Sequence, residues 1–183
     1  SFNEQNMVKG GRKYALKIID HIQSFKNYEE FRNDLTYKTT HLSSYIKYGT
    51  VSIREVYHLF SKKFGKKCTL NSQLVWREFY FYIGYYFPKV LKGKSLKEKY
   101  DGIKWENNKK YIDAWKKGQT GYPVVDAAMR QLNTIGFMHN RGRLITSAVL
   151  IKILKCDWRI GEKYFAQQLI DYDPLVNNGN WQW

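Results

Sequence analysis

The stretch GQTGYPVVDAAMRQLNTIG at residues 118–136 carries the start, the buried face and the stop of one helix. Pro123 suits a first turn, where a missing N–H costs nothing, Val125, Met129 and Leu132 recur at helical spacing, and Gly136 supplies the stop. The same period runs outward in both directions. Residues 144–155 and 162–170 fit helices downstream, and Leu74, Val75, Phe79, Tyr82, Ile83 and Tyr86 predict one over 72–87, closed by Pro88. Ser52 and Glu55 form a capping box ahead of Val56, Leu59, Phe60 and Phe64, with Gly65 able to supply the left-handed end. Ala15, Ile18, Ile19, Ile22 and Phe25 predict a helix over 14–25. Neither a strand ladder nor an internal repeat is visible, so an all-α fold is expected. The lysine-rich, aperiodic stretch 89–104 reads as an exposed connection, not a boundary, and residues 1–183 as a single domain. Pro174, Gly179 and three Asn make 171–183 read as an ordered polar loop, a type of segment that often holds ligands.

Composition narrows the class of function. With 183 residues and 43% hydrophobic content the chain can bury a core. It has no apolar run of membrane-spanning length, and residues 1–20 lack a signal-peptide core, so a soluble intracellular protein is expected, in cytoplasm or nucleus. Two cysteines, Cys68 and Cys156, are too few for a disulfide framework and lack metal-type spacing, so both read as small buried hydrophobes and no metal site is expected. Thirty-one Lys and Arg against 16 Asp and Glu leave a net charge of +15, which favours a polyanion such as nucleic acid; a lysine-rich base composition would produce the same excess. Aromatic residues reach 17%, with six tryptophans, more than an ordinary core needs and suited to stacking on bases or a flat cofactor.

Six segments stand together in order: TTHLS at 39–43, WREF at 76–79, GQTGYPVVDAAMRQL at 118–132, MHNRGR at 138–143, DWRIGE at 157–162, and DYDPLVNNGNWQW at 171–183. In this series the chain, from about Tyr28 to its last residue, resembles the photolyase and cryptochrome family, nearest to enzymes that split cyclobutane pyrimidine dimers. The resemblance implies the helical domain that holds FAD bent into a U beneath a hole admitting a flipped-out dimer. It also implies an N-terminal α/β antenna domain and helices following Trp183, neither of which lies in these 183 residues, so the chain is expected to be a truncated form of that domain. A monomer acting on damaged DNA, without a membrane, is the expected setting.

The resemblance assigns roles residue by residue. Thr39, Thr40, Leu42 and Ser43 match the phosphate side of the cofactor, where hydroxyls and amides can bond a pyrophosphate; by itself a Thr/Ser cluster is a helix cap. Tyr28 and Arg32 match an element preceding that segment, Tyr28 toward the cofactor and Arg32 toward DNA. Arg77, Asn140, Arg143, Asp171, Tyr172, Asp173 and Asn177 complete the cofactor set, with Arg143 paired to Asp171 beside the flavin ring and Asn177 facing its N5. An Asn at this position matches repair enzymes, whereas plant cryptochromes carry Asp and animal ones Cys. Trp105, Trp158 and Trp181 match a relay that carries electrons to photo-excited oxidised flavin, while Trp115 reads as packing. Gln73, Trp76, Arg141, Leu144 and Trp183 fall, with Arg32, on the lesion side, Trp76 and Trp183 as stacking walls.

Two departures matter. Gln73 stands where dimer-splitting enzymes usually have Glu; its amide can donate to a base carbonyl but cannot protonate it. Enzymes for the (6-4) photoproduct share that Gln, yet use a pair of His where this chain has Asn140 and Leu144. The alternatives are a cryptochrome of the kind acting on single strands and a flavin-free basic DNA-binding remnant.

Overall fold

The computed structural model describes residues 8–183, and among these the secondary structure is helical with no strand. Two compact units, Val8–Phe79 and Tyr80–Trp183, divide within one long helix, and each is described by itself.

Val8–Phe79 contains α1 (Arg12–Asp20), α2 (Tyr28–Phe31), α3 (Leu42–Lys47), α4 (Ile53–Phe64) and the first part of α5 (Thr69–Tyr86). The helix expected over 14–25 breaks at His21, where its amide bonds Ile18 O and a 3-10 turn, Ile22–Phe25, follows. Ile22 thereby still reaches the core with Ala15, Leu42, Val56 and Phe60. The capping box is formed. Ser52 Oγ accepts the Arg54 N–H at 3.2 Å, while Glu55 is held below the usual carboxylate range first by Arg12 and also by the returning Ser52 amide.

Tyr80–Trp183 holds the end of α5 and α6 (Lys109–Lys117), α7 (Pro123–Ile135), α8 (Asn140–Ala148), α9 (Trp158–Gln168) and α10 (Pro174–Gln182). Trp115, Val125, Met129, Leu132, Leu150 and Phe165 lie in its core. α7 begins and ends as its sequence predicts, with Gly136 at φ 66° in the left-handed conformation that glycine adopts without strain. α8 and α9 each begin four residues before the expected 144 and 162, capped by His139 and Asp157. The 144–155 expectation is further altered because α8 passes into a single π turn, Val149–Ile153. α6 was not anticipated, although Asn108 caps it and Gly118, at φ 64°, ends it.

The largest correction concerns 171–183, expected as a loop and found to contain α10. Asp173 accepts N–H bonds from Leu175 and Val176 at 3.1 and 3.2 Å, and Pro174 sits in the first turn. Asn lowers helix propensity by competing for local backbone groups. Here two Asn amides are spent on distant partners, Asn177 on Glu162 and Asn178 on Val90 O, so that competition is removed.

The connection over 89–104 is mostly exposed, as expected, but two 3-10 turns, Pro88–Lys92 and Glu98–Tyr100, organise it. Arg159 ties it to the start of α9, donating to Gly93 O at 2.6 Å, to Asp101 at 2.9 Å and to Asp157 at 3.1 Å.

The turn into α7 is organised by Asp126, which accepts the Thr120 N–H and hydroxyl at 2.7 Å each and the Gly121 N–H at 3.0 Å. Burial opposes its charge, but these donors outweigh it and hold the carboxyl below its ordinary value. The stability this group contributes is complete above about pH 4 and is lost as pH falls through the depressed value. Asp126→Asn, which turns an NH2 toward one of these donors, is expected to cost about 1–3 kcal/mol and to flatten the acid limb of a plot of Tm against pH. An unchanged acid limb would remove Asp126 from this role.

Candidate functional site

Within Tyr80–Trp183, α10 packs on α9 and carries or adjoins Tyr172, Asp173, Asn177, Trp181 and Trp183. Its close seat on the end of α5 requires two glycines: a Cβ on Gly84 would collide with Leu175, and one on Gly179 with the Tyr80 ring. Tyr80 OH also bonds Asn180 Oδ1 at 3.2 Å. Asn177, one turn into α10, is buried, and its Nδ2 donates to Glu162 Oε1 at 3.1 Å and Glu162 O at 3.3 Å. Both N–H groups of the amide are thus committed to α9. The atom left for a ligand is Oδ1, an acceptor suited to a ring N–H.

Glu162 is the residue that sequence reasoning missed. It lies inside the quoted DWRIGE segment, and its position one turn beyond Trp158 was the available signal. Its carboxylate also accepts the Tyr172 hydroxyl at 3.3 Å. Burial first, then the charge and bond of Glu162, push the Tyr172 phenol up to about 12. A folded-state value above the unfolded one near 10 contributes stability that is whole below about pH 10 and is lost as pH rises through about 12. Glu162→Gln is expected to move the Tyr172 titration back toward 10. NMR of ring-labelled tyrosine, assigned with Tyr172→Phe, would show it, and an unmoved resonance would exclude the coupling.

Arg143 and Asp171 are paired, as the resemblance implies. One guanidinium nitrogen donates to both Asp171 oxygens at 3.0 Å, Nε donates to Met138 O at 2.9 Å, and the group lies 5.5 Å from the centre of the Phe137 ring. The Asp171 side chain is 5% exposed and that of Arg143 26%, so the pair is desolvated chiefly on the acid side. Asp173 is committed as the α10 cap. Asn140 and Leu144 are exposed on α8, and Arg141 is half-buried between them in sequence.

Trp158 and Trp181 lie in one core, each 7% exposed, with Trp105 packed against it from a partly buried position. Trp181 meets the Phe165 ring at 5.0 Å, and a Cβ on Gly161 would strike its indole. The Arg159 guanidinium stands 4.9 Å over the Trp158 ring. Trp183, the last residue, is 81% exposed.

Val8–Phe79 holds the remaining predicted residues. Thr39 and Thr40 are half-buried, Leu42 is buried and Ser43 is exposed. Thr40 Oγ1 accepts the Leu42 N–H at 3.4 Å, so part of this cluster serves as a local cap. The buried Tyr37 OH and Ser44 Oγ, which flank the TTHLS segment, find no hydrogen-bond partner among the described residues. Orphaned buried hydroxyls are rare in folded proteins, and their presence here fits a polar ligand such as a pyrophosphate. Tyr28, half-buried, has its phenol pushed up by burial, with Arg32 opposing. It lines an open hollow of about 580 Å3, lined also by Lys26, Phe64, Lys66 and Thr69; no other predicted residue lines it. On α5, Gln73 Nε2 donates to Thr69 O at 3.3 Å, Arg77 is half-buried, and Trp76 is 47% exposed with its ring edge-on to Phe79 at 5.5 Å.

Within Tyr80–Trp183 a buried amide, a desolvated ion pair and an indole-rich core thus stand on one set of helices. Residues 69–183 match the model of the FAD binding domain of DNA photolyase. The chain belongs to that family. A deoxyribodipyrimidine photo-lyase of Alkalihalophilus pseudofirmus is 45% identical over 186 residues, covering 100% of this chain and 38% of that protein. The structure of a bacterial class III photolyase from Agrobacterium tumefaciens matches with a TM-score of 0.91 and 37% identity over 97% of this chain and 38% of that one. A Synechocystis cryptochrome matches with a TM-score of 0.88 and 31% identity over 99% and 40%. The chain therefore spans about two fifths of the length of these relatives. Its cofactor is FAD. Among the described residues no helix is long and apolar enough to cross a membrane.

Proposed function

We propose that the protein carrying this chain repairs cyclobutane pyrimidine dimers in DNA, using light absorbed by FAD. The single observation that carries this reading is the fixed amide of Asn177, whose two donors are held by Glu162 and whose acceptor is left for the cofactor. FAD, when bound, reduced and excited, supplies one electron to the dimer and receives it back, so no net redox change results. Asn177 Oδ1 accepts a ring N–H; Arg143, held in place by Asp171, offers its remaining guanidinium N–H groups to the bound cofactor. Thr39, Thr40 and Ser43 bond the pyrophosphate with Tyr28 nearby in sequence, and Arg77, Asn140, Tyr172 and Asp173 complete the binding set. Trp76 and Trp183, both exposed aromatics, stack on the lesion, while Gln73, Arg32, Arg141 and Leu144 line its approach. The net charge of +15 supports a polyanionic partner. Trp181, Trp158 and Trp105 pass electrons inward when the cofactor is oxidised, indole being an aromatic whose radical cation is accessible.

Similarity to a cryptochrome supports a second reading, a blue-light receptor or an enzyme confined to single strands. The decisive experiment gives the full-length product a dimer in duplex and in single-stranded DNA under near-ultraviolet or blue light. Repair in the duplex supports the proposal; repair confined to single strands, or none, overturns it.

A further inference from the structure

Residues 171, 172 and 173 lie in one turn, and each sends its side chain to a different helix. Asp171 holds Arg143 of α8, Asp173 caps α10, and the Tyr172 hydroxyl donates to Glu162 Oε1 of α9 at 3.3 Å. The same oxygen accepts from Asn177 Nδ2 at 3.1 Å, so Tyr172 and Asn177 meet on one atom. The Tyr172 ring packs, partly buried, on the core that holds Trp158 and Phe165, which fixes the direction from which the hydroxyl arrives. Its phenol, pushed up to about 12 first by burial and then by Glu162, keeps its proton through the neutral range and stays a donor.

We propose that Tyr172 is a positioning residue for the cofactor, a role that rests on the reading of Asn177 given above: by occupying Glu162 Oε1 it fixes the carboxylate, and through it the Asn177 amide. An Asn amide has two ends of nearly the same shape, and the polarity of its partners decides which end faces outward. Glu162 supplies two acceptors, Oε1 and its backbone O, so the NH2 end is turned toward α9 and Oδ1 away from it. The backbone O is held by the helix, whereas the carboxylate turns about its side-chain bonds. A carboxylate accepting from Asn177 alone can swing; one that accepts from Tyr172 as well has its place set by two donors. With the hydroxyl gone, Asn177 keeps only its bond to the backbone O as a fixed support, and Oδ1 meets a ring N–H for less of the time. The reduced flavin carries that N–H and the oxidised flavin does not, so Tyr172 bears on the balance between them without touching either.

The test equilibrates the flavin-loaded, full-length protein with a reference redox dye and reads the ratio of reduced to oxidised flavin by absorption. Tyr172→Phe, which keeps the ring and deletes only the hydroxyl, is expected to lower that ratio about two- to fivefold, part of the equilibrium worth of one hydrogen bond. Asn177→Leu, which removes the amide outright, is expected to lower it further. Adding Tyr172→Phe to Asn177→Leu is expected to change nothing more, because the hydroxyl reaches the cofactor only through that amide. Exchange of the Asn177 side-chain amide hydrogens, followed by NMR with labelled asparagine, is expected to quicken in Tyr172→Phe. An unchanged ratio or unquickened exchange in Tyr172→Phe, or additive effects in the double variant, overturns the role of Tyr172 and leaves the reading of Asn177 standing. A ratio unmoved by Asn177→Leu overturns both.

Discussion

Trp181→Phe is expected to slow photoreduction of the oxidised cofactor by more than about tenfold, while light-driven repair by protein reduced chemically beforehand survives. On the function proposed above, the two processes use different electron paths: recharging the cofactor would run through the core that holds Trp181 and Trp158, whereas repair would pass outward to the lesion. Phenylalanine is hard to oxidise, so it interrupts the first path without touching the second. Because Trp181 is fitted against Phe165, Leu150 and the backbone at Gly161, the smaller ring leaves a void, and a stability loss of about 1–3 kcal/mol is expected as well. Measuring unfolding beside photoreduction separates the two effects. Undiminished photoreduction in a folded variant would sink the relay assignment.

Asp171→Ala carries the largest expected stability effect. Removing the carboxylate leaves Arg143 with one bond to Met138 O and a ring face at Phe137, in a site the cation entered with a partner. Breaking a buried pair costs about 3–5 kcal/mol; because a quarter of the Arg143 side chain remains in contact with solvent, about 2–4 kcal/mol is expected here. Flavin retention should fall with it, because α8 and the entry to α10 lose the link that orders them. Denaturant unfolding and flavin content of the purified protein check both parts. Arg143→Lys, which keeps the charge but not the planar donor set, should recover stability only in part. Wild-type stability in Asp171→Ala would show that the pair does no structural work.

The relation between these residues and the sequence is uneven. α7 was legible end to end because its Pro, its apolar period and its terminal Gly are all local signals. The pairing of Arg143 with Asp171, 28 positions apart, was legible only through the family pattern, since no local rule links the two. α10 was misread because composition rules weigh Asn and Gly as breakers. The partners that make those residues compatible with a helix, Glu162, Val90 O and the Tyr80 ring, lie up to a hundred positions away.

From the amino-acid sequence alone come the all-helical class, the basic charge, and the identity of the side chains available for chemistry, because periodicity, caps and residue type are properties of short segments. Tertiary packing alone decides that Asn177 points its donors at Glu162, that Asp171 is dry enough for its pairing to matter, and that the Tyr172 hydroxyl meets Asn177 on one Glu162 oxygen. Those outcomes depend on distances between residues far apart along the chain, which the close packing of six helices and two tight glycine contacts brings within reach.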